Sequence, residues 1–258
     1  KLNSIMKTGI IIQARLGSTR LPRKMILPFY EGQGILEVLL IRLKSTIDEK
    51  TTPIVLATTT NPMDDELEII GNKYGIPVVR GSENDVLERF VEAASKFKIT
   101  NIIRVCADNP LLDLNKLQEL IEKSEDANVD YYSFSTSEPL PTILTAYGFW
   151  AESVNLEALK KVAEITNEKL YREHVTNFVY QHPDEFNIAF ELINSTIEKE
   201  KSIRLTVDTL ADFNLIKVIY KDLIDKGIEF KAENIVKYIV SNPDWMEIMK
   251  KEILANKK

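Results

Sequence analysis

The sequence is poor in the residues that build disulfides and soft-metal sites. Its 258 residues include one cysteine, Cys106, and two histidines, so an internal disulfide and a zinc site of cysteine or histidine ligands are both excluded. A single cysteine also suits a reducing cytoplasm. No run approaches the roughly eighteen apolar residues of a membrane span, and the N-terminus lacks the apolar core of a signal peptide. We therefore expect a cytoplasmic protein that does not enter the membrane.

Positive charge is also in short supply. Thirty-three Lys and Arg stand against thirty-nine Asp and Glu, for a net charge of −6, so no nucleic-acid partner is expected and any anion site must be local. Hydrophobic residues make up 44% of the chain, too many for a disordered protein. Because neither a Gly- or Ser-rich linker nor an internal repeat is present, we predict a single domain over residues 6–258, with residues 1–5 as an upstream addition.

Short β-rich segments alternate with segments of helical period through the first half of the chain. Strands are predicted at residues 9–13, 53–57, 77–79 and 102–106, and helices at residues 35–47, 64–74, 85–97 and 114–123. The strands are near-continuous aliphatic runs, as in a parallel sheet that helices cover on both faces. The pattern predicts an α/β, Rossmann-like fold with a mostly parallel central sheet, which binds ligands at the carboxyl ends of its strands.

The second half of the chain has a less regular pattern. Residues 129–150 are predicted to form a small β insertion, with strands at 131–135 and 143–150 around a turn at Pro139–Pro141. This insertion would cover a second substrate or form a dimer contact. Helices at 155–162 and 170–181, strands at 186–192 and 202–207, and three terminal helices complete the prediction.

The loop that follows the first strand is crowded with cations. Four of them surround a Gly-Ser-Thr triplet, namely Arg15, Arg20, Arg23 and Lys24 around Gly17, Ser18 and Thr19. Like charges this close repel, so the arrangement requires either a polyanion among them or side chains spread into water. Backbone N–H groups, hydroxyls and cations together can hold phosphate oxygens. The spacing fits neither the Walker loop nor the dinucleotide-binding turn. A solvated loop is the alternative, but the position at the ligand edge favours phosphate binding.

Two aspartates follow predicted strands and so fall at the same edge of the sheet. Asp108 comes after the strand at 102–106, and Asp208 comes after the strand at 202–207. Either one could instead cap a helix N-terminus, a contact worth about 1 kcal/mol. Mg²⁺ prefers hard oxygen ligands and is commonly held by one or two carboxylates together with phosphate oxygens and water. Beside a phosphate-binding loop, both aspartates are therefore candidate Mg²⁺ ligands.

Three stretches of the chain resemble the SpsF-type spore-coat polysaccharide cytidylyltransferases, which are related to the acylneuraminate and 3-deoxy-manno-octulosonate cytidylyltransferases. These stretches are IIQARLGSTRLPRKMI, RVCADNPLLD and RLTVDTLADFNLI. The resemblance implies a nucleotidyltransferase fold and transfer of CMP from CTP to a sugar or sugar-acid acceptor, with Mg²⁺ as cofactor. It implies that Arg15 and Lys24 hold the triphosphate with help from Arg20, and that Asp108 and Asp208 bind the metal.

The same resemblance supplies further candidates. Arg15 and Lys24 are the catalytic candidates, and Arg172 and His174 of an R-E-H-V-T stretch are candidates for acceptor binding, although a lone helical histidine is more often structural. The candidate nucleotide-binding residues are Ala14, Arg15, Gly17, Ser18, Thr19, Arg20, Lys24, Thr58, Thr59, Arg80, Gly81 and Asp108. The two threonines could also simply end a strand. The family commonly has glycine where this chain has Arg23.

Other functions remain open on the residues alone. One is a nucleotidyltransferase that uses another nucleotide or a phosphorylated, non-sugar acceptor, and another is a non-catalytic nucleotide-binding protein. A glycosyltransferase is less favoured, because those enzymes usually cluster two aspartates in one Asp-x-Asp that this chain lacks at the strand end. The resemblance, together with the aromatic content of residues 129–150, which we expect to be exposed, also predicts a homodimer.

Overall fold

The structure, a computed structural model, describes residues 7–256, so the expected upstream addition at residues 1–5 lies outside the described residues. Its strands are Thr8–Gln13 (β1), Ile54–Thr59 (β2), Val78–Gly81 (β3), Asn101–Cys106 (β4), Tyr131–Ser135 (β5), Glu152–Asn155 (β6) and Ile188–Leu192 (β7). Its helices are Ile35–Thr46 (α1), Asp65–Lys73 (α2), Val86–Phe97 (α3), Leu114–Ala127 (α4), Leu156–Ile165 (α5), Lys169–Glu173 (α6), Asn177–Gln181 (α7), Ser195–Glu198 (α8), Leu210–Asp225 (α9), Ala232–Val240 (α10) and Pro243–Ala255 (α11). Short 3₁₀ turns lie at Pro62–Asp64 and Thr142–Leu144.

The strands form a seven-stranded sheet in the order β3-β2-β1-β4-β6-β5-β7. In the part of the chain that the structure describes, β6 is antiparallel to β4 and β5, and the other pairs are parallel. The predicted α/β fold with a mostly parallel central sheet is confirmed. Since β1 lies between β2 and β4, the loops that leave these three strands meet at one carboxyl edge. Between residues 7 and 256, no helix is both long and apolar enough to cross a membrane.

The centre of the sheet is buried because its strands are aliphatic on both faces. Ile10, Ile11 and Ile12 of β1 are each 0% exposed, and successive side chains of a strand point to opposite faces. Ile10 and Ile12 pack into a core that includes α1, whereas Ile11 packs into a second core with α3 and α5. Burying such a side chain contributes about 2 kcal/mol. Two apolar layers thus fix the position of β1 and of the loop that follows it.

The predicted strand at 143–150 is wrong. This stretch contains a 3₁₀ turn followed by irregular chain, and the strand comes later, at β6. Gly148 has φ of 71°, outside the strand region, and a Cβ there would lie 2.8 Å from the backbone oxygen of Leu205. The apolar run predicted a strand because Phe149 and Trp150 are core residues. β5 belongs to the central sheet, so residues 129–150 do not form a β unit of their own.

The predicted strand at 202–207 is also wrong, although its backbone lies between two other segments. The Leu205 amide donates to the Ala146 carbonyl at 2.8 Å, and the Val207 amide donates to the Asp108 carbonyl at 3.0 Å. Because these bonds reach two different segments, no continuous ladder forms. Ile203, Leu205 and Val207 are nevertheless buried, and this alternation is the pattern that predicted a strand.

The predicted helix at 170–181 is two short helices, α6 and α7, separated by residues 174–176.

The expected exposure of aromatic side chains in residues 129–150 is wrong as well, because most of them are buried. The buried ones are Tyr131, Phe134, Tyr147, Phe149 and Trp150. The homodimer therefore loses that support and stays a prediction.

Arg23 has a backbone conformation that favours glycine. Its φ is 61°, in the left-handed region, where a side chain costs about 1–2 kcal/mol. The position where the family commonly has glycine thus keeps the glycine-like conformation with a different residue. Arg23 Nη2 donates to both carboxylate oxygens of Glu66 at 2.8 Å.

We expect Arg23→Gly to be more stable than Arg23→Ala by about 1 kcal/mol in the free energy of unfolding. Both variants lose the ion pair with Glu66, and only glycine relieves the left-handed strain. Urea unfolding of the two variants side by side measures the difference. An alanine variant as stable as the glycine variant would show that the backbone at this position is unstrained.

Candidate active site

A buried carboxylate anchors the basic loop to the edge of the sheet. Asp64 is 2% exposed, and its Oδ1 accepts a hydrogen bond from the Leu16 amide at 2.7 Å. Its Oδ2 accepts one from the Thr59 hydroxyl. Asp64 thus joins the loop after β1 to the end of β2. We did not predict this role, because an aspartate that follows Asn-Pro after a strand has the same sequence signal as a helix cap.

The start of the loop is part of the sheet edge, and its centre is open. The Ala14 amide donates to the Ala57 carbonyl at 3.2 Å, and the Arg23 amide donates to the Leu16 carbonyl at 2.9 Å. Ala14 and Leu16 are buried, whereas Gly17–Arg20 is exposed or half-exposed. The Gly-Ser-Thr triplet therefore presents its backbone and hydroxyls at the carboxyl edge of the sheet.

Lys24 lies between the two predicted metal-binding aspartates. It is 6% exposed, and its Nζ donates to Asp108 Oδ2 at 2.8 Å and to the Val207 carbonyl at 2.5 Å. The same Nζ lies 3.5 Å from Asp208 Oδ1. Burial is the largest influence and lowers the pKa of Lys24, but the two carboxylates together raise that pKa above its ordinary value. Lys24 is therefore a fixed positive charge at neutral pH.

Asp208 is held by two further cations. Arg20 Nη2 lies 2.9 Å from Asp208 Oδ1, and Arg204 Nη2 lies 3.2 Å from Asp208 Oδ2. Arg204 also pairs with Asp212, which is buried and accepts a hydrogen bond from the Asp208 amide at 3.0 Å. Sequence reasoning missed this Arg204–Asp212 support. Positive and negative charges alternate around Asp208, so its carboxylate is fixed in place.

Neither aspartate caps a helix, so the capping alternative is wrong for both. The side chain of Asp113 caps α4 by accepting hydrogen bonds from the amides of Asn115 and Lys116. The side chain of Thr209 caps α9. Asp108 and Asp208 instead approach the same lysine nitrogen from segments a hundred residues apart.

The four cations of the loop do not all point the same way. Lys24 and Arg20 reach the aspartates, whereas Arg23 turns to Glu66. Arg15 Nη2 lies 3.6 Å from Glu173 Oε1, and these side chains are 37% and 38% exposed. Such an exposed pair contributes little, so the Arg15 guanidinium is available to an anion.

The candidates at the ends of β2 and β3 have structural contacts. Arg80 donates to the carbonyls of Thr59 at 2.8 Å and Asn61 at 3.0 Å, so it braces the loop after β2. A Cβ on Gly81 would lie 2.8 Å from Arg89 Cγ. The Thr58 hydroxyl is buried without a hydrogen-bond partner among residues 7–256. Of these residues, Thr58 alone leaves a polar atom unused within the described chain.

A cavity of about 770 Å³ opens beside the two aspartates. Asp108, Asp208 and His174 all line it, together with residues of the segment 136–150. Its volume lies in the range of roughly 300–1,000 Å³ that is typical of small-molecule sites. The predicted cover for a second substrate, residues 129–150, thus does contribute a wall of this cavity.

Only one of the two acceptor candidates reaches the cavity. His174 is part of its lining, whereas Arg172 is not. Arg172 donates to the carbonyls of Ala163 at 2.7 Å and Thr166 at 3.1 Å, and to Asp85 Oδ2 at 3.1 Å. These bonds tie α6 to α5 and to the start of α3, so the structure gives Arg172 an anchoring role.

A buried polar network supports the cavity wall near His174. Glu152, 1% exposed, accepts hydrogen bonds from Arg104 at 2.5 Å, Tyr131 at 2.5 Å and Thr176 at 2.9 Å. The bond from Thr176 fixes the chain between α6 and α7. Sequence reasoning missed this network, because its members lie on segments that only the fold brings together.

Cys106 lines the cavity as well, but it is a poor nucleophile. Burial is the main cause that raises the pKa of its thiol to about 11. The thiolate is the reactive form, so Cys106 is protonated and unreactive at neutral pH.

The arrangement suits Mg²⁺ bound jointly by protein and substrate. Residues 7–256 contain no group of three or more His, Cys, Asp or Glu that could hold a metal, so a cage built from protein alone is not present there. Asp108 and Asp208 already approach one cationic nitrogen. Two carboxylates completed by phosphate oxygens and water are a common Mg²⁺ environment. The residues therefore fit this metal.

Comparison with known proteins finds relatives that cover most of this chain. A family model described as cytidylyltransferase matches residues 9–238. An uncharacterised protein of Methanocaldococcus jannaschii is 36% identical over 240 residues, which cover 92% of each chain. The spore coat polysaccharide biosynthesis protein SpsF of Bacillus subtilis is 33% identical over 237 residues, 91% of this chain and 94% of SpsF.

A solved structure supports the same assignment. A cytidylyltransferase from Leptospira borgpetersenii superposes with a TM-score of 0.81 and 30% identity, over 93% of this chain and 97% of the other. The resemblance drawn from three short stretches is therefore confirmed along nearly the whole sequence. This chain belongs to the cytidylyltransferase family and is of the SpsF type.

Proposed function

We propose that this protein transfers CMP from CTP to a hydroxyl of a sugar or sugar-acid acceptor and releases pyrophosphate, in the synthesis of a surface polysaccharide or glycan. The observation that carries the proposal is the placement of Lys24 between Asp108 and Asp208, beside a cavity of acceptor size. Membership of the cytidylyltransferase family supports CTP as the nucleotide. The name of SpsF supports a polysaccharide pathway.

The reaction is an in-line displacement at the α-phosphorus. The acceptor oxygen forms a bond to this phosphorus while the bond to the oxygen that bridges to the β-phosphorus breaks. The hydroxyl proton passes to solvent, and pyrophosphate leaves. Such a transfer depends on positioning and on neutralising phosphate charge, and it needs no covalent nucleophile, in agreement with the protonated thiol of Cys106.

The basic loop supplies the groups that bind phosphate. The exposed Gly17–Thr19 triplet offers backbone N–H groups and hydroxyls to phosphate oxygens, and Arg15 and Lys24 neutralise charge. Asp108 and Asp208 would hold Mg²⁺, which when bound adds positive charge at the phosphate oxygens. Arg20 and Arg204 keep the Asp208 carboxylate in place.

The acceptor would occupy the cavity next to these groups. Its lining includes His174, Asn177, Tyr147 and Leu170, so polar and apolar residues both border it. A sugar ring needs both kinds of contact, since its hydroxyls require hydrogen bonds and its C–H faces pack on apolar groups. Asp108 and Asp208 line the same cavity, so an acceptor hydroxyl in it would lie close to the metal ligands.

Pyrophosphate release tests the proposed function. The purified protein with Mg²⁺ is incubated with CTP, UTP, ATP or GTP and a panel of sugars, sugar acids and phosphorylated alcohols. We expect release with CTP and at least one sugar or sugar acid. No release with any pair, together with no CTP binding by calorimetry, would reject the proposal.

We expect Lys24→Ala to lower kcat by on the order of 100-fold, because removing one charge at a developing phosphate oxyanion costs about 3 kcal/mol. Arg23→Ala is the matched control, since it removes the neighbouring cation, which points to Glu66. Its turnover should equal that of wild type. Equal rates in the two variants would remove Lys24 from the reaction.

We expect Asp108→Asn and Asp208→Asn each to abolish Mg²⁺-dependent turnover while leaving the far-UV circular dichroism unchanged. The amide has no charge to offer the metal, although its shape is nearly that of the carboxylate. Asp225→Asn is the control, because Asp225 is an exposed carboxylate paired with Lys221 on α9. Wild-type Mg²⁺ titration curves in both site variants would contradict the metal assignment.

A further inference from the structure

A fully buried arginine lies behind the basic loop, and no carboxylate among residues 7–256 forms an ion pair with it. Arg89 of α3 is 0% exposed. Its Nη1 donates to the carbonyls of Ser82 and Glu83, the latter at 3.2 Å. In the described chain, its Nε and Nη2 have no hydrogen-bond partner. Two of its three nitrogens are therefore unsatisfied.

The charge of Arg89 is costly in this position. A guanidinium does not lose its proton in proteins, and a buried charge is normally paired. The nearby carboxylates accept their hydrogen bonds from other groups. Asp64 accepts from the Leu16 amide and the Thr59 hydroxyl. Asp85 accepts from the Glu88 amide and the Arg172 guanidinium, and Glu83 accepts from the Asn61 side chain. Burial is the largest influence that lowers the pKa of Arg89, and the nearby charge of Arg15 lowers it further. The charges of Asp64, Asp85 and Glu83 raise that pKa but offset the lowering only in part.

The turn that Arg89 holds borders the basic loop. Glu83 lies close to the basic loop, because a Cβ added to Gly17 would be 3.3 Å from Glu83 Oε1. Glu83 Oε2 accepts a hydrogen bond from Asn61 Nδ2 at 3.1 Å. The Thr60 amide donates to the Gly81 carbonyl at 2.9 Å. The turn therefore joins the loops that follow β1, β2 and β3 at the carboxyl edge.

We propose that Arg89 is a positioning residue for the nucleotide, which holds the Ser82–Glu83 turn from behind and whose unpaired charge is offset when a nucleoside triphosphate binds on the basic loop. It acts through the turn and through its field, without touching the substrate. The inference rests on the proposed function for the identity of the triphosphate as CTP. The charge of the triphosphate would add to the partial compensation that Asp64, Asp85 and Glu83 already give the guanidinium.

A purely structural arginine and a positioning arginine predict different results on removal. A structural arginine would lower the stability of the free protein when replaced and leave nucleotide affinity unchanged. Burying an unpaired charge costs free energy, and an apolar side chain of similar length removes that cost from the free protein. The positioning role therefore predicts unchanged or raised stability of the free protein and weaker nucleotide binding.

The experiment uses Arg89→Met, Arg89→Gln and Arg89→Lys, with Lys96→Met as the control for loss of an exposed cation on the same helix. Binding of CTP and of CMP with Mg²⁺ is measured by calorimetry, and thermal unfolding is measured without nucleotide. We expect Arg89→Met to unfold no lower than wild type and to bind CTP at least 10-fold more weakly, with a smaller loss for CMP because it carries less charge. Arg89→Lys should restore most of the affinity, and Lys96→Met should match wild type.

Several outcomes would overturn the inference. Wild-type CTP affinity in both Arg89→Gln and Arg89→Met would overturn it. If Arg89→Met fails to fold, Arg89→Gln decides alone, because glutamine keeps a donor for the Ser82 carbonyl. Equal losses for CTP and CMP would remove the role of the charge. Wild-type protein that binds no CTP would reject the proposed function, whereas wild-type binding with no loss in the variants rejects this inference alone.

Discussion

One ammonium group joins three distant parts of the chain. Lys24 Nζ contacts Asp108, Asp208 and the carbonyl of Val207, so the loop after β1, the end of β4 and the segment before α9 meet at one point. Because Lys24 is buried, its charge requires both carboxylates nearby, and each carboxylate is fixed by the lysine. Every other part of the site is arranged around this contact.

The sheet determines where that contact lies. β1 is buried on both faces and lies between β2 and β4, so the basic loop leaves the sheet at its centre. Asp64 and the Arg204–Asp212 pair then fix the two sides of the contact by buried hydrogen bonds. The basic loop and Asp108 adjoin because β1 and β4 are parallel and end at the same edge. Asp208 joins them through the Val207 amide, which donates to the Asp108 carbonyl.

The sequence was sufficient for the parts of the site that depend on local pattern. Aliphatic runs predicted the strands of the first half. A cationic loop and two aspartates expected after strands predicted the residues that the structure brings together, although Asp208 follows irregular chain. It was insufficient where the outcome depends on partners far away in the chain. Residues 202–207 alternate like a strand but find no continuous neighbour. In residues 143–150, the aromatic side chains Tyr147, Phe149 and Trp150 fill the core without forming a strand.

The buried polar residues were hidden for the same reason. Asp64, Glu152 and Arg89 have no local motif, and their importance follows only from what surrounds them in the fold. Arg172 and Arg80 show the reverse case, since both lie in stretches that resemble the family's and both are engaged in anchoring the backbone. A motif identifies where a family keeps its residues, and the contacts show what each residue does there.

The most direct measurement is a crystal structure with Mg²⁺ and a CTP analogue that resists transfer. The account predicts the triphosphate on the basic loop, the metal between Asp108 and Asp208, and the Lys24 ammonium within hydrogen-bond distance of a phosphate oxygen. A nucleotide bound away from the carboxyl edge of β1, or a metal that neither aspartate contacts, would contradict it.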